Sequence, residues 1–262
     1  TKTASVPILS CEEAIERLRR FRESYEGEEC EYLAMYSSVF GGITTDPSAM
    51  VVPLDDHIVH RGHAVFDTAL ICNGYLYELD QHLDRLLVSA SMAKINLPFD
   101  RDTIRGILIQ TVSASGCRNG SLRYFVSSGI GDFQLSPSGC HASSLYAVVI
   151  RAAASSSPPR GGVRVITSSV PMKPPPFAST KSVNYLPNAL SQMEAESRGA
   201  FAAVWVDPDG RVAEGPNVNV AFVTREGELV MPDPDGGRVL RGCTARRVFV
   251  LAEELVGRRG GL

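Results

Sequence analysis

A turn at Asn73-Gly74 constrains the fold of this chain more than any other feature. It lies inside VFDTALICNGYLYELD (65–80), between two runs of β-branched, aromatic and other apolar residues. Asn-Gly between such runs is typical of a tight antiparallel hairpin, because both residues tolerate positive φ angles. The segment QHLDRLLVSASMAKI (81–95) follows and predicts a helix whose buried face holds Leu83, Leu86, Leu87 and Ala90. We therefore expect helices packed on a sheet with local, mainly antiparallel pairing.

The remaining patterns predict an α+β or α/β chain of two domains. Residues 1–30 are an N-terminal helical extension, in which Ser10 and Glu13 have capping-box spacing. Residues 31–150 predict a smaller α/β domain. Residues 151–162, RAAASSSPPRGG, have the composition of an interdomain linker. Residues 163–262 predict a larger, β-rich domain with strands at 163–169, 201–207, 211–215, 218–224 and 228–232. Since the chain stops after one helix and a glycine-rich tail, we expect the C-terminal part of this domain to be missing.

Composition narrows the function classes by elimination. The 26 basic and 29 acidic side chains give a net charge of -3, which offers no electrostatic reason to expect nucleic acid or an anionic membrane as partner. The six cysteines are scattered without metal-ligand spacing, so no metal site is expected and a reducing compartment such as the cytoplasm fits best. No apolar run reaches membrane-spanning length. The chain begins without Met, which permits a removed transit segment, and a small-molecule function remains.

Two polar residues stand at turns where chemistry is possible. Lys181 lies in FASTKSVNYLPN among small, weakly charged residues, and burial of its amine would lower its pKa and make it nucleophilic. A lone lysine is more often a surface charge. Glu214 lies in AEGPN between two strand patterns, where a carboxylate can pair with a ring nitrogen or simply occupy a solvated turn.

Two further features suit a phosphate group. Arg85, in the 81–95 helix, could project inward as a phosphate anchor or form a surface pair with Asp84. The sequence GCTARR (242–247) offers the N-terminus of a helix, with backbone N–H groups and the Thr244 hydroxyl. Simple N-capping by Thr244 would need the same residue. No glycine-rich nucleotide loop, GxSxG elbow or HExxH helix is present.

Taken in order, HLDRL, KSVN, AEGPNVN and GCT resemble the fold-type IV pyridoxal-phosphate enzymes, the class IV aminotransferase family. The stretch with Arg61-Gly62 and Asp67 is similar to the N-terminal signature of that family, and the resemblance runs from about Tyr32 to the end. Within the family, KSVNYLPNALSQMEAE and MYSSVFGGITTDPSAMVVPLDDHIVHRGH look closest to the plant D-amino acid aminotransferases, also described as plastidial aminodeoxychorismate lyases.

This resemblance implies the cofactor pyridoxal 5′-phosphate and a role for each matching residue. Lys181 would hold the cofactor as an internal aldimine and then move the proton of the substrate α-carbon. Glu214 would pair with the pyridine nitrogen. The other implied contacts are Arg85, Cys243 and Thr244 for the phosphate, Tyr185 for the ring hydroxyl and Asn219 for orienting Glu214, with plain packing an open alternative for Tyr185 and Asn219.

The resemblance also implies a homodimeric transaminase that moves an amino group from a D-amino acid to a 2-oxo acid in the plastid stroma. Three alternatives stay open: an aminodeoxychorismate lyase that forms p-aminobenzoate and pyruvate, a branched-chain L-amino acid aminotransferase, and a truncated, non-catalytic paralogue. Bacterial relatives trap the substrate carboxylate with a tyrosine, which would fall near Leu70, and with an Arg-x-His. The loop SSGIGDFQLSPSGCH lacks that arginine, so Arg123 and His141 are the nearest cationic candidates.

Overall fold

A computed structural model describes residues 5–24, 30–152 and 161–259, which form six α-helices and ten strands. The helices are α1 (Cys11–Glu23), α2 (His57–His60), α3 (Leu79–Met92), α4 (Arg101–Ser115), α5 (Leu186–Ser197) and α6 (Cys243–Arg259). The strands are β1 (Cys30–Ser37), β2 (Gly42–Thr44), β3 (Ala64–Cys72), β4 (Tyr75–Leu76), β5 (Gly120–Ser127), β6 (Ser144–Ala152), β7 (Val165–Thr167), β8 (Ala202–Val204), β9 (Phe222–Val223) and β10 (Leu229–Val230).

The first six strands form one antiparallel sheet in the order β2-β1-β6-β5-β3-β4. The predicted hairpin is confirmed, since Cys72 pairs with Tyr75 across a two-residue turn. Asn73 and Gly74 have φ angles of 53° and 86°, as a turn with two left-handed residues requires. The antiparallel pairing expected for this half is therefore present in every ladder of the sheet.

Helices α3 and α4 cover one face of this sheet and enclose the main hydrophobic core. Leu83, Leu86 and Ala90 are buried in it as predicted, whereas Leu87 is only half-buried. Leu79, one helical turn before Leu83, completes the buried face instead. The predicted and observed buried faces differ because of the 3.6-residue helical period. Leu79, Leu83, Leu86 and Ala90 lie on one narrow stripe of α3, and Leu87 lies at the side of that stripe.

The N-terminal helix is peripheral. Its capping box is confirmed, because Ser10 Oγ accepts from the Glu13 backbone N–H and the Glu13 carboxylate accepts from the Ser10 N–H. None of the residues of α1 is buried, and its contact with the 3-10 turn Pro47–Ala49 is reinforced by Arg19 Nη2 at 3.2 Å from Asp46 Oδ2. The helix thus lies on the surface of the N-terminal half and adds little to the hydrophobic core.

The C-terminal half holds less strand than its sequence pattern predicts. Strands β7 and β8 pair in parallel, and β9 and β10 form a short antiparallel ladder. The run 211–215 contributes only the isolated bridges Val206–Val212 and Glu214–Asn219. Pro216 lies between the predicted strands 211–215 and 218–224, and it cannot extend either of them through a ladder hydrogen bond because proline has no backbone N–H. In the described residues the expected β-rich character is therefore limited to two pairs of short strands.

The predicted linker at 151–162 falls mostly outside the described residues, which exclude 153–160. Its first two residues, Arg151 and Ala152, belong to β6. Within the described parts of the chain, no helix is long and apolar enough to cross a membrane, and no cluster of histidine, cysteine and carboxylate side chains is arranged to hold a metal ion.

Candidate active site

The backbone of Lys181 is attached to the edge of the six-stranded sheet. The Phe66 N–H donates to Lys181 O at 2.9 Å, and the Val183 N–H donates to Ala64 O at 3.0 Å. This edge is open because β4 pairs only with the last two residues of β3. The Lys181 N–H donates in addition to Ser89 Oγ of α3 at 3.1 Å. Hydrogen bonds to two elements of the N-terminal half therefore fix the position of this lysine.

The Lys181 side chain points toward aromatic rings rather than toward a salt-bridge partner. Nζ donates to Tyr185 OH at 3.2 Å and lies 4.6 Å from the centroid of the Phe66 ring. Burial and, to a smaller extent, the nearby Arg85 charge lower the pKa of Lys181 to about 8, although Asp67 and Glu214 oppose the shift. A much larger fraction of the amine is thus neutral near physiological pH than for an exposed lysine, and the neutral amine is the nucleophilic form.

Glu214 faces the same space from the C-terminal half. Its Oε2 accepts from Asn219 Nδ2 at 3.1 Å and from the Leu240 N–H at 3.0 Å. Burial raises the pKa of Glu214 to about 7, against the Leu240 hydrogen bond, which lowers it. Asn219 Nδ2 also donates to Leu240 O at 3.0 Å, so this amide ties the carboxylate to the segment before α6. Oε1 has no hydrogen-bond partner among the described residues and is available to a ligand.

Arg85 is held in place by a buried acidic residue on β3. Its Nε and Nη2 donate to the two carboxylate oxygens of Asp67 at 2.8 and 2.7 Å, and His82 Nδ1 lies 2.9 Å from Asp67 Oδ1. Burial raises the pKa of Asp67, but the hydrogen bonds of His82 and Arg85 outweigh this effect and lower it. For His82, the interactions with Asp67 and Cys243 outweigh burial and raise the pKa to about 9. We call Asp67, His82 and Arg85 the ion-pair cluster.

The start of α6 completes this side of the site. Arg85 Nη1 donates to Arg241 O at 3.2 Å, which places the guanidinium beside the helix N-terminus. Cys243 is buried as the first helical residue and Thr244 follows as the second, so Thr244 is not the N-cap of this helix. A Cβ on Gly242 would lie 1.8 Å from Asn219 Oδ1, so only glycine fits between the helix and this amide. The N-terminal backbone of α6 and Arg85 thus form a positive end of the site.

Comparisons with known proteins identify this arrangement. Residues 64–258, about three quarters of the chain, match the family Amino-transferase class IV. The chain belongs to the class IV aminotransferases. It is 65% identical over 255 residues to the D-amino-acid transaminase, chloroplastic, of Arabidopsis thaliana; that match covers 97% of this chain and 66% of the relative, so the chain spans just under two thirds of the length of that protein.

A more distant relative and a solved structure are also similar to the chain. A putative branched-chain-amino-acid aminotransferase of Methanocaldococcus jannaschii is 30% identical, over 81% of this chain and 73% of the relative. The crystal structure of a T.th. branched-chain amino acid aminotransferase with pyridoxamine 5′-phosphate superposes with a TM-score of 0.77 at 23% identity, covering 86% of this chain and 75% of that one. The chain thus has the α+β fold of the fold-type IV aminotransferases, a family that uses pyridoxal phosphate.

In this class IV aminotransferase the residues predicted from the sequence share one cavity of about 490 Å³. All seven predicted site residues line it: Arg85, Lys181, Tyr185, Glu214, Asn219, Cys243 and Thr244. The polar lining residues that the sequence did not single out include His82, Lys173 and Asn188. His82 could have been found from its place one turn before Arg85, whereas no signal in PMKPPP pointed to Lys173. Asp67 appeared only as part of a signature, without a role.

The two cationic candidates for the substrate carboxylate are not among the residues that line the cavity of this aminotransferase. Arg123 and His141 are both exposed. The position expected for the tyrosine of bacterial relatives, near Leu70, is also exposed, with 55% of the residue accessible. Phe66, four residues earlier on the same face of β3, is the residue that contacts Lys181. The described contacts therefore bring none of these three positions to the amine.

Proposed function

We propose that this protein is a pyridoxal-phosphate-dependent aminotransferase that moves an amino group from a D-amino acid to a 2-oxo acid. The observation that carries the proposal is the partly neutral Lys181 amine, which shares one cavity with the Glu214 carboxylate. The name and 65% identity of the Arabidopsis relative support the choice of D-amino acids. The resemblance to plant enzymes described above supports the 2-oxo acid acceptor.

The donor set fits pyridoxal phosphate. Lys181 supplies an amine for covalent attachment, Glu214 lines the cavity and has no described hydrogen bond at Oε1, and Arg85 with the N-terminus of α6 offers positive charge for a phosphate. The cavity volume is that of a site for one cofactor and a small substrate. When bound, the cofactor supplies a carbonyl carbon that condenses with amines and a ring that accepts electron density.

The residues of the chain then have separate tasks. Lys181 would hold the cofactor through its amine and would take and return the proton of the substrate α-carbon. Tyr185 OH keeps Nζ oriented through the 3.2 Å hydrogen bond. Glu214 holds a proton at the ring nitrogen, and Asn219 fixes the carboxylate for this task. Asp67 and His82 keep Arg85 rigid, so that the phosphate meets a preorganised guanidinium.

We extend the proposal to assembly and compartment. Residues 31–150 and 163–262 are proposed as two domains of a homodimer subunit, in accord with the resemblance and with the exposed apolar side chains of Leu70, Tyr75 and Phe177. The plastid stroma is proposed as the compartment, because the Arabidopsis relative is named chloroplastic.

The test uses purified protein incubated with pyridoxal phosphate. We expect a visible absorption band that persists after gel filtration, and amino transfer from D-alanine or D-methionine to pyruvate or 2-oxoglutarate. Lys181→Ala should abolish both, whereas Lys94→Ala, which removes an exposed lysine, should abolish neither. A colourless protein overturns the enzyme proposal. Strict preference for L-amino acids, or faster turnover of aminodeoxychorismate than amino transfer, overturns the D-transaminase assignment.

A further inference from the structure

A second lysine lies in the cavity beside Lys181. Lys173 belongs to the loop that connects β7 with the sheet-bound segment at 181–183, and it lines the same cavity as Glu214. Its Nζ lies 5.0 Å from the centroid of the Tyr185 ring, and Lys181 Nζ lies 5.7 Å from the same centroid. The two amines therefore approach the same aromatic ring, and both residues line the cavity.

Lys173 is the cation of the cavity that has neither an anionic partner among the described residues nor a task in the proposed reaction. Arg85 and His82 are both bound to Asp67, and Lys181 is assigned to the cofactor. Among the described residues Lys173 makes no ion pair and no hydrogen bond; its only described contact is with the Tyr185 ring. Burial lowers the pKa of Lys173, and the Glu214 carboxylate opposes this shift without lying within ion-pair distance. A half-buried ammonium without a counter-ion is destabilising, and binding an anion relieves that cost.

The substrates of the proposed reaction bring a suitable anion. Every amino acid and every 2-oxo acid carries a carboxylate next to the reacting carbon. The cofactor phosphate has its own cations at Arg85 and the N-terminus of α6, so it does not need Lys173. The exposed Arg123 does not line the cavity. Resting on the proposed function, we infer that Lys173 is the cation that binds the substrate carboxylate and thereby orients the α-carbon toward Lys181.

The experiment measures carboxylate binding separately from turnover. Butanoate, which has no amino group to react, and butanamide, its neutral isostere, are titrated calorimetrically into the cofactor-loaded protein. We expect Lys173→Met to weaken butanoate binding by roughly tenfold to hundredfold, the range for a hydrogen bond to a charged group, and to leave butanamide binding unchanged. Lys173→Arg should retain most of the butanoate affinity. The matched control Lys94→Met removes a lysine outside the cavity and should change neither.

Several results would overturn this inference. Butanoate that binds Lys173→Met as tightly as the unaltered protein, or that does not bind the unaltered protein, excludes the assignment. Loss of butanoate binding in Arg123→Met instead transfers the role to that residue. A Lys173→Met protein that loses cofactor affinity but keeps butanoate affinity shows that Lys173 serves the cofactor. If butanoate binding depends on Lys173 but the protein transfers no amino group, only the proposed function is refuted. If the protein transfers amino groups and Lys173→Met binds butanoate as tightly as the unaltered protein, only this inference is refuted.

Discussion

The ion-pair cluster predicts a large loss of stability when Asp67 loses its charge. Asp67 is fully buried and its carboxylate accepts from Arg85 twice, from His82 and from the Thr68 N–H at 2.7 Å. Asp67→Asn keeps the size of the side chain but leaves the Arg85 charge buried without an anion. Breaking a buried ion pair from one side costs about 3–5 kcal/mol in free energy of unfolding. We expect Asp67→Asn to lose an amount in this range.

Asp80 provides a matched control for this substitution. It also pairs with two cations, Arg101 at 3.1 Å and Arg105 at 3.0 Å, but half of its side chain is exposed. Water screens such pairs, so Asp80→Asn should lose only a small fraction of what Asp67→Asn loses. The assay is urea unfolding followed by circular dichroism. In the double variant Asp67→Asn/Arg85→Met both charges are gone, so its loss should be smaller than the sum of the single losses.

Equal losses for Asp67→Asn and Asp80→Asn would refute the argument that burial makes the difference. Additive losses in the double variant would show that Asp67 and Arg85 do not act as a pair. Either result would also remove the reason for regarding Arg85 as a preorganised group.

Three further predictions concern the same site. The pKa of His82 is raised to about 9 from 6.5, so the contribution of the His82 charge to the free energy of unfolding is complete below pH 6.5 and is lost as pH rises through 9. Urea unfolding at several pH values should show this decrease, and Asp67→Asn should make it smaller. Asn219→Ala removes a donor to the Glu214 carboxylate, so the pKa of Glu214 should rise above about 7 in an infrared titration; an unchanged pKa would contradict the contact. Gly242→Ala places a methyl group against Asn219 and should cost about 1–3 kcal/mol in thermal unfolding, whereas Gly236→Ala, which has open space around it, should cost less.

Local signals in the sequence predicted the N-terminal half well. The capping box at Ser10, the turn at Asn73-Gly74 and the buried stripe of α3 each depend on residues close together in the chain. The C-terminal half was predicted less well, because alternating apolar residues indicate a strand only if a partner strand is present. Phe222 and Val223 form a strand with Leu229 and Val230, whereas residues 218–221 of the same predicted strand lie outside the strands of the structure.

The candidate site shows the same limit in chemical terms. The order of motifs around Lys181, Glu214 and Arg85 predicted which residues would meet, and the structure places them around one cavity. The sequence could not show that Asp67 occupies two of the Arg85 donors, since 18 residues separate them and the pairing depends on how α3 packs on β3. The sequence could not single out Lys173 for a similar reason, because the lack of a counter-ion near its amine depends on how the loop folds.

The pairing of residues 181–183 with the edge of β3 also decides which part of the protein unfolds with the lysine. The backbone hydrogen bonds of Phe66 and Val183 join this segment to the largest hydrophobic core. In the part of the chain that the structure describes, β7 and β8 instead pair only with each other and pack on a much smaller cluster. A partial opening that releases β7 and β8 can therefore leave Lys181 in place. In amide hydrogen exchange, Phe66 and Val183 should belong with the slow protons of the sheet, so that Lys181, the proposed attachment point of the cofactor, has the stability of a region that lies mostly before it in the chain.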